Sequence, residues 1–384
     1  MKVYLDNAAT TKIDPRVLEK MLPYLSDSFG NPSSIHSFGR EVKVALEEAR
    51  DVIADSINAD PSEIYFVGSG TEANNFPIFG IAKTEFQESG RAKILTGKAE
   101  HRCVLDSFEE LGKNGFERVA IPVDNQTELD YDQLEAALDD NVSLVSIIHT
   151  NNETGATNAI ERIAKLKAKF NFYLHVDAVQ SFGKQKIDVM ELGVDALSIS
   201  GHKIHGPKGI GVAFIKNRTP MRPMIFGGSQ ERNRRGGTEN VAGIIGMAEA
   251  TKISLSEMDS NLGLITKLND TFRNGVAEIP DNFISINSPE NASPYIISLT
   301  FNSDIYKNDA EAMLMYLDIN GVAASNGAAC TSGTLKPSHV ILSSGKSIGD
   351  ANGTIRFSFS KYNSEVEIEY ALGIIRKMSE KFKK

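Results

Sequence analysis

Short apolar segments alternate with longer segments of helical periodicity between about residues 60 and 215 of this 384-residue chain. The intervening segments, such as 103–111, 131–138 and 160–170, have the pattern of helices. Apolar strands separated by helices are typical of a mostly parallel sheet that is covered on both faces. The pattern therefore predicts an α/β fold with a mostly parallel seven-stranded sheet. The seven predicted strands are EIYFV (63–67), AKIL (92–95), RVAI (118–121), LVSII (144–148), FYLHV (172–176), ALSIS (196–200) and GVAFI (211–215).

The pattern changes after residue 240. One long helical stretch follows, interrupted at most at Gly263, and then strands such as YIISLTF and TIRFSFS alternate with helices in a smaller α+β set. A chain of this length is too long for one compact core. We therefore expect a large domain at 15–255 and a small domain made of 1–14 and 256–384.

The composition of the chain excludes several classes of protein. The chain is 41% hydrophobic and 24% charged, which is ordinary for a globular protein, and its net charge of -9 provides no strong basic field for nucleic acid or an anionic membrane. No window approaches the roughly 18 apolar residues that span a bilayer. The two cysteines, Cys103 and Cys330, exclude a disulfide framework. We expect a reduced, cytoplasmic protein without membrane or direct nucleic-acid partners.

Several polar residues closely follow predicted strands. Asp177 follows FYLHV, Lys203 follows ALSIS, Asn152 follows LVSII and Gly70 follows EIYFV. In parallel sheets, ligands gather at the carboxyl ends of the strands, which predicts one shared site. A lysine can form a Schiff base with an aldehyde, and an aspartate can hold a protonated pyridine nitrogen, so the pair suggests pyridoxal phosphate. Taken alone, the two residues also suit a surface lysine and a helix-capping aspartate.

Three further residues suit the same cofactor. Gly70 and Thr71, in GSGTEANNF, can offer backbone N–H groups and a hydroxyl to a phosphate, although Gly-Ser-Gly is also common in turns. His101, in AEHRCV, can stack on an aromatic ring or move protons, or it can be structural. We expect Cys103, two residues further on, to be a small buried hydrophobe.

A reactive residue and two residues that can bind anionic groups are predicted in the second half of the chain. Cys330 lies among small residues in AASNGAACTSGTLKPSH, where it is either a nucleophile or an inert surface thiol. Arg356, in TIRFSFS, suits a clamp for a substrate carboxylate or an ion pair within the small domain. Thr238, in the polar segment FGGSQERNRRGGTEN, can reach a phosphate within the chain or across a dimer.

Ten segments together resemble the NifS-like cysteine desulfurases of the class-V aminotransferase family, which have the pyridoxal-phosphate fold type I. The resemblance covers essentially the whole chain, and the length of the segment after Cys330 is similar to the first group of these enzymes. The segments are YLDNAATT, GNPSSIHSFGR, GSGTEANN, AEHRCVLD, NNETG, HVDAVQ, SGHKIHGPKGIG, RRGGTEN, AACTSGTLKPSHV and IRFSFSKYN.

The resemblance implies a full set of residues around pyridoxal 5'-phosphate, and it implies no metal site. Lys203 would bind the cofactor covalently, Asp177 would face the pyridine nitrogen, and His101 would stack on the ring. Gln180 and Asn152 would contact the phenolic oxygen, and Asn152 and Arg356 would hold the substrate carboxylate. The phosphate would be bound by Gly70, Thr71, Ser200 and His202, joined by Thr238 of the neighbouring subunit of a homodimer.

The resemblance also implies the reaction. Cys330 would take sulfur from L-cysteine as a persulfide, release L-alanine, and deliver the sulfur to an acceptor such as an iron–sulfur scaffold or another carrier. A selenocysteine lyase and a class-V aminotransferase are alternative enzymes, although transamination needs no loop cysteine. A non-enzymatic binding platform is a third alternative, which the joint presence of Lys203, Asp177 and Cys330 disfavours.

Overall fold

The computed structural model describes residues 1–280, 283–327 and 336–384. The strands are β1 (Val3–Tyr4), β2 (Ile64–Val67), β3 (Lys93–Gly97), β4 (Glu117–Ile121), β5 (Val142–Ile148), β6 (Tyr173–Asp177), β7 (Ala196–Ser200), β8 (Gly211–Ile215), β9 (Ile284–Ile286), β10 (Ile296–Phe301), β11 (Val322–Ala323) and β12 (Thr354–Ser358). The α-helices are α1 (Pro15–Met21), α2 (Pro23–Ser26), α3 (Ser37–Ser56), α4 (Gly70–Ser89), α5 (Arg102–Lys113), α6 (Tyr131–Ala137), α7 (Ile160–Leu166), α8 (Val189–Leu192), α9 (Gln230–Asn233), α10 (Val241–Ser256), α11 (Met258–Ala277), α12 (Ala310–Ile319), α13 (His339–Ser343), α14 (Ile348–Ala351) and α15 (Glu365–Phe382).

The seven predicted strands form one sheet, in the order β2-β8-β7-β6-β5-β3-β4. Strand β8 is antiparallel to both of its neighbours, β2 and β7, and the other neighbouring pairs are parallel. Every residue of β3, β5 and β7 is buried, because helices pack on both faces of the sheet. The predicted fold class is confirmed.

Two apolar cores lie on the two faces of this sheet. One contains Phe76 of α4 and Phe108 of α5, and the other contains Ile53 of α3, Ile163 of α7 and Met247 of α10. Helix α10 is apolar around most of its surface, and it is largely buried against α1 and α3. This packing fixes the positions of the strand ends and of the turns that follow them.

The predicted single helical stretch after residue 240 is wrong. It consists of α10 and α11, which are separated at Glu257, and Gly263 lies inside α11. The break follows from tertiary packing, because α10 joins the core of the large sheet whereas Ile265 and Leu268 of α11 join a different core. The Glu257 carboxylate forms ion pairs with Arg16 and Lys361 at the junction.

The second core belongs to a smaller α+β unit. Its three-stranded antiparallel sheet has the order β12-β10-β9, and α11, α12 and α15 pack beside it. The start of the chain joins this unit, because β1 pairs with β11 and Leu5 is fully buried in the second core. Within the described residues, no helix is long and apolar enough to cross a membrane.

Candidate active site

The candidate site lies where the carboxyl ends of neighbouring strands meet. Asp177 is the last residue of β6, Lys203 ends the short 3-10 turn after β7, and Gly70 opens α4 after β2. A Cβ atom at Gly70 would lie 3.1 Å from Cβ of Ser200, so these two residues are in direct contact. The strand ends thus bring together residues that are more than 100 positions apart in the chain.

Lys203 is held by the start of the chain. Its Nζ donates to the carbonyl oxygens of Ala8 at 2.5 Å and Ala9 at 2.8 Å. Burial lowers the pKa of Lys203 to about 8, and the positive charge of Arg356 contributes to this decrease. A lysine with this pKa has a substantial neutral fraction near neutral pH, which is the form that attacks an aldehyde.

Asp177 is a buried carboxylate with two hydrogen-bond donors. Asn74 Nδ2 donates to Oδ2 at 2.7 Å, and the backbone N–H of Val179 donates to Oδ1 at 3.0 Å. Burial raises the pKa of Asp177, and His101 and these donors oppose that increase. A protonated ring nitrogen beside this carboxylate would compensate its buried charge.

His101 is the N-cap residue of α5, and its Nδ1 accepts from the backbone N–H of Cys103 at 3.2 Å. In the neutral ring, the proton is therefore on Nε2. Solvent reaches His101, which is exposed, but the surrounding protein atoms still lower its pKa, with Asp177 opposing the decrease. His101 can thus stack on an aromatic ring and also exchange a proton with a ligand that is bound beside it.

Cys103 packs against an apolar core, as expected of a small hydrophobe, but it is only partly buried and its thiol also has polar contacts. The thiol is half-buried at the site, where Sγ lies 3.0 Å from His101 Nδ1 and 3.3 Å from Asn74 Nδ2. Burial raises the pKa of Cys103 to about 12. Cys103 therefore stays a thiol at neutral pH and is a poor nucleophile.

Arg356 links the smaller unit to the site. Its Nη1 donates to the carbonyl oxygen of Asn152 at 2.8 Å, and its Nη2 donates to Asp6 Oδ1 and Ser325 Oγ, each at 2.8 Å. Arg356 thus forms an ion pair with Asp6, which is one of its two predicted roles, and it also lies beside Asn152, whereas its role as a carboxylate clamp stays a prediction. Only 4% of Arg356 is exposed.

Four buried polar atoms around the site have no hydrogen-bond partner among the described residues. They are Asn74 Oδ1, Asn152 Oδ1, Ser200 Oγ and Arg356 Nε. Buried polar atoms are nearly always paired in folded proteins, so a cluster of unpaired ones indicates a polar ligand. An amine at Lys203, a buried carboxylate and unpaired donors and acceptors fit pyridoxal phosphate and an amino-acid substrate.

Two predicted cofactor residues are anchored by the first residues of the chain. Gln180 Nε2 donates to the carbonyl oxygen of Ala8 at 2.8 Å, and His202 Nδ1 lies 3.1 Å from Thr10 Oγ1. Burial lowers the pKa of His202 to about 4, so its ring is neutral at neutral pH. Ala8, Ala9 and Thr10 were not predicted to lie at the site. The motif YLDNAATT contains all three residues and is the sequence feature that could have indicated them.

The remaining predicted residues, Thr238, Thr71 and Cys330, differ in their relation to this cluster. Thr238 is exposed, and in the described structure it has no hydrogen bond to another predicted site residue. Thr71 contacts the Cys103 thiol. Cys330 lies outside the described residues, so its role stays a prediction.

Glu153 is a site residue that sequence analysis missed. Its carboxylate, only 2% exposed, accepts a hydrogen bond from Ser338 Oγ. A Cβ atom at Gly327 would lie 2.7 Å from Glu153 Oε2. Burial raises the pKa of Glu153 to about 7. Glu153 thus connects the Asn152 turn with residues on both sides of segment 328–335.

Comparison with known proteins identifies the family. The family model described as aminotransferase class-V matches residues 3–371. The chain belongs to the class-V aminotransferase family. A cysteine desulfurase IscS of Dictyoglomus turgidum is 44% identical to it over 385 residues, covering 100% of this chain and 95% of the relative. Class-V cysteine desulfurases use pyridoxal phosphate, which the unpaired atoms of this site fit.

Solved structures of class-V members have the same fold. A NifS-like protein has a TM-score of 0.90 and 35% identity, and the match covers 99% of both chains. The structure of SspA in complex with cysteine has a TM-score of 0.83 and 32% identity, and the match covers 95% of this chain and 100% of that one. These likenesses extend over both the large sheet and the smaller α+β unit.

Proposed function

We propose that this protein is a pyridoxal-phosphate cysteine desulfurase that converts L-cysteine to L-alanine and holds the sulfur as a persulfide on Cys330. One observation carries the proposal: Lys203 and Asp177, at the ends of strands of the large sheet, and Arg356, on β12 of the smaller unit, converge around unpaired buried atoms. The similarity to enzymes named cysteine desulfurase supports the choice of reaction within the class-V family.

The cofactor is held by residues of the large sheet. Lys203 binds it covalently, Asp177 keeps the ring nitrogen protonated, and His101 stacks on the ring. Gly70, Thr71, Ser200 and His202 bind the phosphate, and the unpaired Ser200 Oγ and the start of α4 support this assignment. Gln180 and Asn152 contact the phenolic oxygen. Bound pyridoxal phosphate supplies an electron sink that weakens the carbon–sulfur bond of cysteine.

The substrate carboxylate is held by Arg356 and Asn152. The Arg356 guanidinium is fixed by Asp6, Ser325 and the Asn152 carbonyl oxygen, and its Nε remains unpaired within the described structure. A fixed guanidinium loses little side-chain entropy when it binds a carboxylate. The same contacts orient the turn that contains Asn152. Binding of the substrate carboxylate and orientation of the Asn152 side-chain amide are therefore linked.

Sulfur transfer requires a thiolate and a proton donor. The Cys330 thiolate attacks the sulfur of cysteine, so that a sulfur–sulfur bond forms as the carbon–sulfur bond breaks. The electron pair of the broken bond goes to the carbon, which takes up a proton and leaves as alanine. Lys203, with a pKa of about 8, and His101, with its proton on Nε2, are the groups that can carry protons beside the substrate.

The proposed activity is tested by a product balance. With L-cysteine and an excess of a thiol reductant, we expect equal amounts of alanine and sulfide. Without the reductant, mass spectrometry of the digested protein should find one additional sulfur on the peptide that contains Cys330. Formation of a keto acid instead of alanine, or an unmodified Cys330 peptide in a protein that releases alanine, would contradict the proposal.

We also propose that the protein is a homodimer. Large apolar side chains are exposed near the start of the chain and in the segment that carries Thr238, including Phe29 (71%), Ile35 (90%) and Phe226 (81%). Exposed apolar surface of this kind marks protein interfaces. A dimer interface there would explain why Thr238 has no site contact within its own chain.

The dimer is tested with a charge at the exposed apolar surface. We expect Phe226→Asp to convert the dimer to a monomer in analytical ultracentrifugation and to weaken cofactor retention. Ile319→Asp is the matched control, because Ile319 is 77% exposed at the end of α12 in the smaller unit. A dimer that persists in Phe226→Asp, or a wild-type monomer, would contradict the proposal.

The persulfide requires a sulfur acceptor and a reducing compartment. We propose an acceptor protein, such as an iron–sulfur scaffold or another sulfur carrier, and a cytoplasmic location, where thiols remain reduced. The name IscS of the related enzymes supports this choice. Transfer of labelled sulfur from loaded Cys330 to a candidate acceptor tests it, and persistence of the label on the enzyme with every acceptor would contradict it.

A further inference from the structure

Lys184 is a lysine beside the active site that the proposed mechanism does not use. It lies four residues after Gln180 and lines a cavity of about 30 Å³, together with Lys203, Tyr295 and Phe359. Its Nζ donates to Gln180 Oε1 at 3.0 Å and lies 5.4 Å from the centroid of the Tyr295 ring. The ammonium group is therefore fixed by an amide oxygen and the face of an aromatic ring.

The backbone conformation at Gly183 allows Lys184 to take this position. Gly183 has a φ of +71°, and a Cβ atom there would lie 2.8 Å from Ile204 Cγ2. Only glycine adopts this conformation without strain at so crowded a position. Burial lowers the pKa of Lys184 to about 7, and the positive charges of Lys203 and Arg356 contribute to this decrease. In both its charged and its neutral form, the amino group can donate to Gln180.

The contacts with Lys184 and with the Ala8 carbonyl oxygen together determine which way the Gln180 amide faces. Oε1 accepts from Lys184, and Nε2 uses one of its two hydrogens for the Ala8 carbonyl oxygen. A flipped amide would place its oxygen against the Ala8 carbonyl oxygen, which is repulsive, and its NH2 group against the lysine, which is repulsive while the lysine is charged. The second hydrogen of Nε2 thus remains available as a donor.

We propose that Lys184 is a positioning residue that fixes Gln180 as a hydrogen-bond donor to the phenolic oxygen of the cofactor. The proposal rests on the placement of Gln180 at that oxygen, as described under the proposed function. A donor at the phenolic oxygen favours its anionic form, which lowers the pKa of the bound cofactor. Lys184 controls that pKa through Gln180, without touching the cofactor.

The proposal is tested by pH titration of the visible absorbance of the cofactor-loaded protein. We expect Lys184→Met to raise the pKa of the bound cofactor by about one unit, since a hydrogen bond to a charged group has about that effect. Lys184→Gln retains a neutral donor and should keep a pKa close to that of the wild type. Lys186→Met is the matched control, because Lys186 is exposed and pairs with Glu191 at the surface.

A double-mutant cycle separates an effect through Gln180 from a direct effect of charge. Gln180→Leu should give a similar increase, and adding Lys184→Met should then change the pKa little, because the second residue acts through the first. An unchanged pKa in Lys184→Met, or a full additional shift on the Gln180→Leu background, would overturn the role of Lys184. An unchanged pKa in Gln180→Leu would instead refute the placement of Gln180. If Lys184→Met does not fold, a full shift in Lys184→Gln would assign the effect to charge and reject the proposal.

Discussion

Replacing Lys203 with alanine is expected to lower kcat/KM for L-cysteine by about 10⁴-fold or more, the order seen when a covalent catalytic residue is removed. The variant loses the amine that binds the cofactor and one of the two groups that can carry protons beside the substrate. The visible absorbance of the bound cofactor should change with the loss of the covalent link. Steady-state kinetics and an absorbance spectrum of the purified variant measure both effects.

The folded state should survive the Lys203→Ala change. The side chain donates to two backbone carbonyl oxygens and belongs to none of the apolar cores of the described residues, so we expect its removal to leave the large sheet intact. Lys208→Ala, at an exposed position five residues further on, is the matched control and should keep both activity and spectrum. A Lys203→Ala variant with the wild-type spectrum would refute the covalent role.

Replacing Cys330 with alanine is expected to lower sulfide release by about 10³-fold or more while the cofactor stays bound, because the nucleophile of the sulfur transfer is removed. Addition of L-cysteine should still change the spectrum of the bound cofactor, since Arg356 and Asn152 are untouched. Stopped-flow absorbance and a sulfide assay separate the two steps. Full sulfide release by this variant would show that the persulfide mechanism is wrong.

Cys103 provides the control for Cys330, because it is the other cysteine of the chain and lies at the site. Burial raises the pKa of Cys103 to about 12, so at neutral pH it is not a thiolate. Cys103→Ala should therefore keep the persulfide on Cys330. If sulfur instead accumulated on Cys103 in the wild-type protein, the assignment of the two cysteines would have to be exchanged.

The large sheet could be predicted from the sequence because its strands are buried on both faces. Each predicted strand lies within two residues of its observed bounds, and the parallel arrangement then places Asp177 and Lys203 at one edge. The break at Glu257 could not be predicted, because it depends on which core each helix joins and not on a local glycine. The division into a large domain at 15–255 and a small domain made of 1–14 and 256–384 stays a prediction.

Some contacts in the site could not be predicted from the sequence, because many of the residues involved are far apart in the chain. The carbonyl oxygens that hold Lys203 are about 195 residues away from it, and Glu153 contacts Ser338, which is 185 residues further on. Lys184 lies only four residues after Gln180, but the contact between their side chains depends on the conformation of the turn between them. Asn74 lies in a recognised motif, but its hydrogen bond to Asp177 follows only from the packing of α4 against the sheet. The roles of Thr238 and Cys330 stay predictions.

The first eleven residues connect the smaller unit to the site through hydrogen bonds. Asp6 holds Arg356, the Ala8 carbonyl oxygen holds both Gln180 and Lys203, and Thr11 donates to the His202 carbonyl oxygen. An expression clone that is trimmed at this end would therefore retain the entire seven-stranded sheet and still lack part of its active centre. A purification tag is different, because Met1 is 61% exposed and an extension there leaves these contacts in place.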